Sequence, residues 1–214
     1  MESTKTRILK KLLETDGYLS GQDLCEQLGV SRTAVWKYMK QLKEEGYEIE
    51  AVQNKGYCLK DVPDVLGESE IKSRLHTRWA GQTLYYYDEI DSTNTQIKRL
   101  AEEDAPHGTL AVADYQSKGK GRRGRAWDSP HGSAIYMSIL FRPEIRPDRA
   151  SMLTLVIGLS VTQAIRSNLG LQAQIKWPND VVLNGKKLVG ILTEMSAQMN
   201  YIEYLVTGIG INAN

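Results

Sequence analysis

Apolar residues recur at helical spacing through the first 45 or so positions and then give way to alternation. Ile8, Leu9, Leu12 and Leu13 predict a helix over residues 5–15. A second helix is expected in LSGQDLCEQLGV (19–30), with Ser20 and Asp23 spaced as a capping box. Leu24, Cys25 and Leu28 form its apolar face, and Gly29 ends it. A third, SRTAVWKYMKQLKEEG (31–46), starts at Ser31, stops at Gly46 and turns Val35, Tyr38, Met39 and Leu42 inward. Two helices joined by a short glycine-containing turn fit a helix-turn-helix. The next stretch, YEIEAVQNKGYCL (47–59), alternates around NKG and predicts a two-stranded wing.

Beyond it, KDVPDVLGESE (60–70) reads as a junction. The expected organisation is a winged helix-turn-helix over 1–62, a linker over 63–68 and a larger domain over 69–214. In that domain a short helix is expected at 69–77, strands at 83–90, 108–116 and 133–141, and a helix at 92–104 with Ile97 and Leu100 inward. RASMLTLVIGLSVTQAIRSNLG (149–170) is mostly apolar, and its length predicts a helix buried against a sheet. Further strands are expected at 173–180, 181–196 and 201–212, with a hairpin turn at Asn184-Gly185. Hairpins among helices argue for an α+β fold with a mixed sheet.

Charge narrows the partners. There are 27 basic and 26 acidic residues, so any nucleic-acid role rests on local patches. One such patch is the outward face of the third helix: Arg32, Thr33, Trp36, Lys37 and Lys40 lie where a recognition helix carries base and phosphate contacts. Lys55 sits at the tip of the wing. Residues 1–60 hold ten basic and nine acidic residues, so charge alone leaves open a helical interaction domain with solvated charges. The N-terminus lacks a signal-type apolar core, and no apolar run approaches the length of a membrane span. Cys25 and Cys58 lack ligand-like spacing. A soluble cytoplasmic protein with no membrane partner is expected.

The segment SKGKGRRGRAWDSP (117–130) contains G-x-G-x-x-G at Gly119, Gly121 and Gly124. A dinucleotide fingerprint has to open a helix, whereas here Pro130 and Gly132 lead into a strand. No Walker-type sequence occurs either. What remains is a glycine-rich loop with Lys118, Lys120, Arg122, Arg123 and Arg125, expected to be mobile until an anion orders it. By charge alone, an anion-binding loop and a nonspecific nucleic-acid patch stay equally open. His76, His107 and His131 read as structural or solvated.

Four motifs follow the winged helix in order: DSTN (91–94), YQSKGKGRRGRAWDSP (115–130), KWPNDVVLNGKKLVGILTE (176–194) and GIGIN (208–212). Together with the winged helix they resemble the bifunctional biotin protein ligases that also repress the biotin operon. Singly each has an ordinary reading: STN as a helix N-cap, WPND as a turn, Lys187 as a hairpin lysine. Their joint order carries the resemblance.

The resemblance implies a class II synthetase-like catalytic domain that forms biotinyl-5′-AMP and pyrophosphate from biotin and MgATP and then transfers biotin to a lysine of a carrier protein. It implies biotin contacts from Ser92, Thr93, Asn94, Gln116, Lys120, Gly121, Arg122 and Lys187. Lys120 stands where the family's better-known pattern has arginine. The implied nucleotide contacts are Arg122, Arg123, Trp127, Asn179, Asp180 and Asn212, with Asp180 also serving the metal. Lys187 and Arg122 are the implied catalytic groups. The implied partners are a biotin carboxyl carrier protein domain, operator DNA and a second copy in a ligand-promoted homodimer. A non-catalytic metabolite-sensing repressor and a lipoate-type acyl ligase are the alternatives. The family continues past GIGIN, so this sequence is expected to lack the family's C-terminal part.

Overall fold

A computed structural model describes residues 3–213; Met1 and Asn214, the outer limits of the two expected domains, lie outside the described residues, as does Glu2. The chain divides into two compact units, Met1–His76 and Thr77–Asn214.

In the first unit the helices are α1 (Thr4–Glu14), α2 (Gly21–Leu28) and α3 (Arg32–Glu44). Each begins on a serine: Ser3, Ser20 and Ser31 accept backbone N–H groups of the first turn that have no partner within the helix. Gly29 closes α2 in the left-handed conformation. Ile8, Leu9, Leu24, Val35, Met39 and Leu42 are buried together, with Tyr38 packed at the margin. The wing is an antiparallel pair, β1 (Glu48–Val52) and β2 (Gly56–Asp61).

The boundary falls later than the pattern suggests. Helix α4 (Glu68–Arg74) packs with α1 inside the first unit. The reason is chemical: the buried Tyr47 donates its hydroxyl to Glu70 Oε2 at 2.6 Å, and Glu70 also pairs with Arg74. Composition marks residues 63–68 as linker-like but does not show which side the next helix joins.

The second unit is built on a seven-stranded sheet. Its strands are β3 (Leu84–Ile90), β4 (Leu110–Gln116), β5 (Ala134–Phe141), β6 (Gln174–Lys176), β7 (Asp180–Leu183), β8 (Lys186–Ala197) and β9 (Ile202–Asn212). They run in the order β3-β4-β5-β9-β8-β7-β6, with β3 and β4 parallel and every other pair antiparallel. The α+β mixed sheet is therefore as the hairpin signals suggested. Asn184 and Gly185 both take positive φ, 49° and 77°, which a two-residue turn of this kind requires.

Alternation along the strands gives the sheet two different faces. Helix α5 (Thr93–Glu102) covers one, packing Ile97, Leu100 and Ala101 onto Ala111, Leu140 and Val206. Helix α6 (Ala150–Leu169) covers part of the other through Ile165, against Val181, Val189, Ile191 and Ile209.

Two expectations about α6 need correction. The helix is long and apolar enough, by length and composition, to cross a bilayer, although it sits against the sheet. It is also far from fully buried. Only Ala150, Gly158, Thr162 and Ile165 are buried, while Met152, Leu155, Val156 and Leu159 stay exposed. One sheet face covers one stripe of a helix, so a helix that is apolar all round leaves the remainder open.

Candidate functional site

The site lies on the α5 face of the sheet. Its floor is bare backbone: Gly190 pairs with Gly210 across β8 and β9, and Gly208 follows opposite Leu192. A Cβ on Gly208 would collide with Asn94 Oδ1, and one on Gly190 or Gly210 would collide with the Trp127 indole. The three glycines thus let Asn94 and Trp127 rest directly on the strands.

One wall is a chain of buried polar groups at the start of α5. Gln116 Oε1 accepts from Thr93 N at 2.9 Å and from Thr93 Oγ1 at 3.0 Å. Ser138, on β5, places its hydroxyl 2.7 Å from Thr93 Oγ1 and 2.6 Å from Asn94 Oδ1. Ser138 is fully buried, and Ser92, Thr93 and Asn94 nearly so. Three oxygen–oxygen contacts here share two hydroxyl protons, so the wall is rich in acceptors and short of one donor. Ser92 holds the N-cap position but makes no side-chain cap bond, so its hydroxyl is not committed to the helix.

The glycine-rich segment forms the opposite wall and has internal order. Trp127 N donates to Gly119 O and Gly121 N to Arg125 O, and Lys120 bridges Ala126, which makes a narrow hairpin turning at Arg123 and Gly124. Its neck is tied to β4, where Gln116 Nε2 donates to Ser129 Oγ at 3.0 Å. His131 Nδ1 lies 2.8 Å from Asp114 Oδ2 at the same neck, with its ring stacked on Tyr115.

Most of the implied residues meet in this one cleft. Ser92, Thr93, Asn94 and Gln116 line it on the α5 side, and Lys120, Gly121, Arg122 and Trp127 on the loop side. Asn179 and Lys187 close one end. Arg122 donates to Asn179 Oδ1 at 3.1 Å, and Lys120 to Thr95 Oγ1 at 3.0 Å. Lys187 Nζ lies 2.8 Å from Asp180 Oδ1 and 4.9 Å from the Trp127 ring centroid. Trp127 Nε1 is buried with no hydrogen-bond partner among the described residues.

Asn212 is not among the residues that line the cleft; it donates to the Lys187 carbonyl at 3.1 Å. Arg123 and Arg125 instead border a neighbouring recess with Leu192 and Glu194. Among the described residues, no three His, Cys, Asp or Glu side chains converge as a metal cage. Asp180 offers a single carboxylate.

Sequence reasoning missed Ser138, Lys98 and Glu194. Glu194 Oε2 accepts from Asn94 Nδ2 at 2.8 Å, and Glu194 Oε1 from Lys98 at 2.6 Å. Burial pushes the Glu194 carboxyl up, but the hydrogen bonds from Lys98 and Asn94 prevail and hold it below the usual glutamate range. The one available signal was a serine inside the apolar run SAIYMSILF and a glutamate inside GILTE.

In the N-terminal unit, Arg32, Thr33, Trp36, Lys37 and Lys40 are all exposed on α3, Trp36 at 60%. Arg32 reaches Gln22 at 3.3 Å, and Lys40 pairs with Glu44 at 3.6 Å. Lys55 lies 5.5 Å from the Tyr18 ring at the wing. Trp36 and Lys37 stay outward, an unusual placement for a tryptophan with no packing role.

Comparison with known proteins gives matches to both units. The Biotin/lipoate A/B protein ligase family matches residues 86–212, and an HTH domain matches residues 4–58. The bifunctional ligase/repressor BirA of Bacillus spizizenii is 47% identical over 216 residues, covering 100% of this chain and 66% of that protein. BirA of Escherichia coli is 36% identical over 202 residues, 94% of this chain and 61% of its own length. This chain therefore spans a little under two thirds of the length of these relatives. Among solved structures, biotin protein ligase from Aquifex aeolicus in complex with biotin and ATP is similar at 40% identity with a TM-score of 0.51, over 62% of this chain and 53% of that one. The Leishmania major enzyme with biotinyl-5-AMP is 25% identical with a TM-score of 0.53, over 61% and 57%.

Proposed function

The chain belongs to the biotin/lipoate A/B protein ligase family, and from that membership we propose that it activates biotin with ATP and passes the biotinyl group to a lysine of a carrier protein. The observation that carries the choice of biotin is the acceptor-rich wall of Asn94, Ser138, Thr93 and Gln116. A cyclic urea brings N–H donors, which complete a wall short of one. A dithiolane ring brings none, and an unpaired buried acceptor costs about 1–3 kcal/mol. This disfavours the lipoate-type alternative.

In this reading the biotin carboxylate oxygen attacks the α-phosphorus. The new P–O bond forms as the bond to the bridging oxygen breaks and pyrophosphate leaves. A carrier amine then attacks the acyl carbon, the C–O bond to AMP breaks, and the nitrogen loses a proton. Neither step calls for a covalent enzyme nucleophile, so positioning and charge neutralisation suffice. Lys187 and Arg122 supply the neutralising cations, Lys187 by exchanging Asp180 for the approaching carboxylate and phosphate oxygens. Asn179 and Asp180 face the nucleotide, and Trp127 packs against it. Asp180, a single carboxylate, would hold a magnesium ion bound mostly through phosphate and water, and the ion would supply screening of the phosphate charge.

The N-terminal unit adds a second role. With a helix-turn-helix, an outward Trp36 and Lys37 and Lys55 at the tip of the wing, it reads operator DNA as a biotin-responsive repressor. Ligand-promoted pairing with a second copy would link the two activities, in the cytoplasm, where Cys25 and Cys58 stay free thiols. Mass spectrometry after incubation with biotin and MgATP tests the catalytic reading. Retained biotinyl-adenylate is expected. A chain that binds biotin but forms no adenylate and releases no pyrophosphate would be a metabolite-sensing repressor instead.

A further inference from the structure

Asn94 can present either end of its amide to the cleft, and the choice sets what the cleft recognises. Its Nδ2 faces two groups that only accept, Glu194 Oε2 at 2.8 Å and the Leu192 carbonyl at 3.4 Å. The amide is thereby oriented without ambiguity. Oδ1 is turned to Ser138 and the bare backbone of Gly208. Glu194 is itself held by Lys98, whose ammonium occupies Oε1. A carboxylate accepts through either oxygen, so Glu194 fixes Asn94 with or without Lys98, and Asn94 gives the wall its acceptor character.

We infer that Glu194, which stands outside the lining of the cleft, is a positioning residue that selects for a ligand ring donating N–H by holding the Asn94 oxygen toward the cleft. This rests on the proposed biotin reading and names its specificity determinant. An isosteric change should therefore reverse the wall. In Glu194→Gln the new amide is oriented by Lys98, which needs an acceptor. The new amide oxygen turns to Lys98, and its NH2 faces Asn94 Nδ2. Two donors cannot share that contact, so Asn94 flips. Its NH2 then points at Ser138 and the ligand, and the wall changes from acceptor to donor. Adding Asn94→Asp reverses the consequence. The aspartate accepts from the new glutamine amide through one oxygen and offers the other to the cleft.

The test is titration calorimetry on the full chain with two probes, biotin and biotin methylated on a ureido nitrogen, beside a thermal melt of each variant. Wild type is expected to prefer biotin. Glu194→Gln should lose about ten- to a hundredfold in biotin affinity and most of that preference. The double variant Asn94→Asp with Glu194→Gln should regain both. Lys98→Met, which leaves the Glu194–Asn94 contact in place, should keep the preference. Wild-type affinity and preference in Glu194→Gln would overturn the inference. So would an equal loss in Lys98→Met, which would assign the effect to charge rather than amide orientation. If Glu194→Gln fails to fold, the exchanged pair still decides: a folded double variant without the preference overturns the inference. A wild-type chain that binds neither probe overturns the functional reading itself, and this inference with it.

Discussion

Lys187 and Asp180 face each other across a β-hairpin at 2.8 Å because the hairpin is out of register by one residue. Asp180 pairs with Gly190 and Val181 with Val189, but a bulge then sets Val182 opposite Lys187. A bulge puts two residues against one and reverses which face the next side chain takes. Without it, Lys187 would share the α6 face with Val189. With it, the ammonium stands beside Asp180 and over Trp127. The contact lacks hydrogen-bond alignment, so the ammonium is held there yet remains available to another anion.

Replacing Lys187 by alanine should therefore slow adenylate formation far more than it harms folding. A charge-assisted contact of this kind is worth about 1.5–3 kcal/mol, or roughly ten- to a hundredfold in rate. Lys187→Arg should recover only part, since a planar fork replaces a compact ammonium poorly. Pyrophosphate release at saturating biotin and ATP, with a thermal melt alongside, measures this. A near-normal rate in the alanine variant would reduce Lys187 to a hairpin lysine.

Gly210→Ala should displace Trp127. The added methyl meets ring atoms of a residue that also carries the Lys187 contact. Overpacking of this kind costs about 1–3 kcal/mol. The loop hairpin should loosen with it, since Trp127 N is one of its rungs. Proteolytic cleavage within residues 117–130 should rise and biotin affinity fall. Unchanged protection and affinity would mean that the floor does not need to be bare.

The first unit offers a pH prediction. Burial, and then the hydrogen bond to Glu70, raise the Tyr47 hydroxyl well above the ordinary tyrosine range. A group whose folded pKa is raised contributes stability that is complete below its unfolded value, about 10. That contribution is lost as pH rises from there toward the folded value. The N-terminal unit should thus weaken above about pH 10, and Tyr47→Phe should flatten that alkaline slope while costing about 1.5–3 kcal/mol at neutral pH. Denaturant unfolding at several pH values reads both. An identical slope in the two proteins would remove Tyr47 as the cause.

Local chemistry was legible in the sequence wherever its cause was local. Ser20, Ser31 and Gly29 cap helices by contacts within a few residues, and Asn184-Gly185 makes its own turn. The site motifs were legible as ordered strings. What could not be read was whatever depends on distant pairing. Ser138 reaches Asn94 across 44 positions and Glu194 reaches it across 100, and both sit in apolar strands that advertise only core. The exposure of α6 was hidden for the same reason. Apolar composition states a preference for burial without saying whether a partner covers every side.

Helix α3 gives the last prediction. Lys37 is exposed on α3 with no acidic partner among the described residues, next to the outward Trp36, whereas Lys40 is paired with Glu44 and Arg32 leans on Gln22. An exposed cation without an acidic partner is free to meet a phosphate, and each such contact releases counterions. Lys37→Ala should therefore weaken operator binding and flatten its salt dependence by about one unit of slope. Arg32→Ala should do the same once its weak 3.3 Å hold on Gln22 is discounted. Trp36→Ala should lose affinity without changing the slope, because it carries no charge. All three should form adenylate normally, since the residues that line the cleft all belong to the other unit. Operator binding measured against salt concentration separates the cases. If both cation variants keep wild-type affinity and slope, this helix does not enter the groove, and the exposed tryptophan needs another partner.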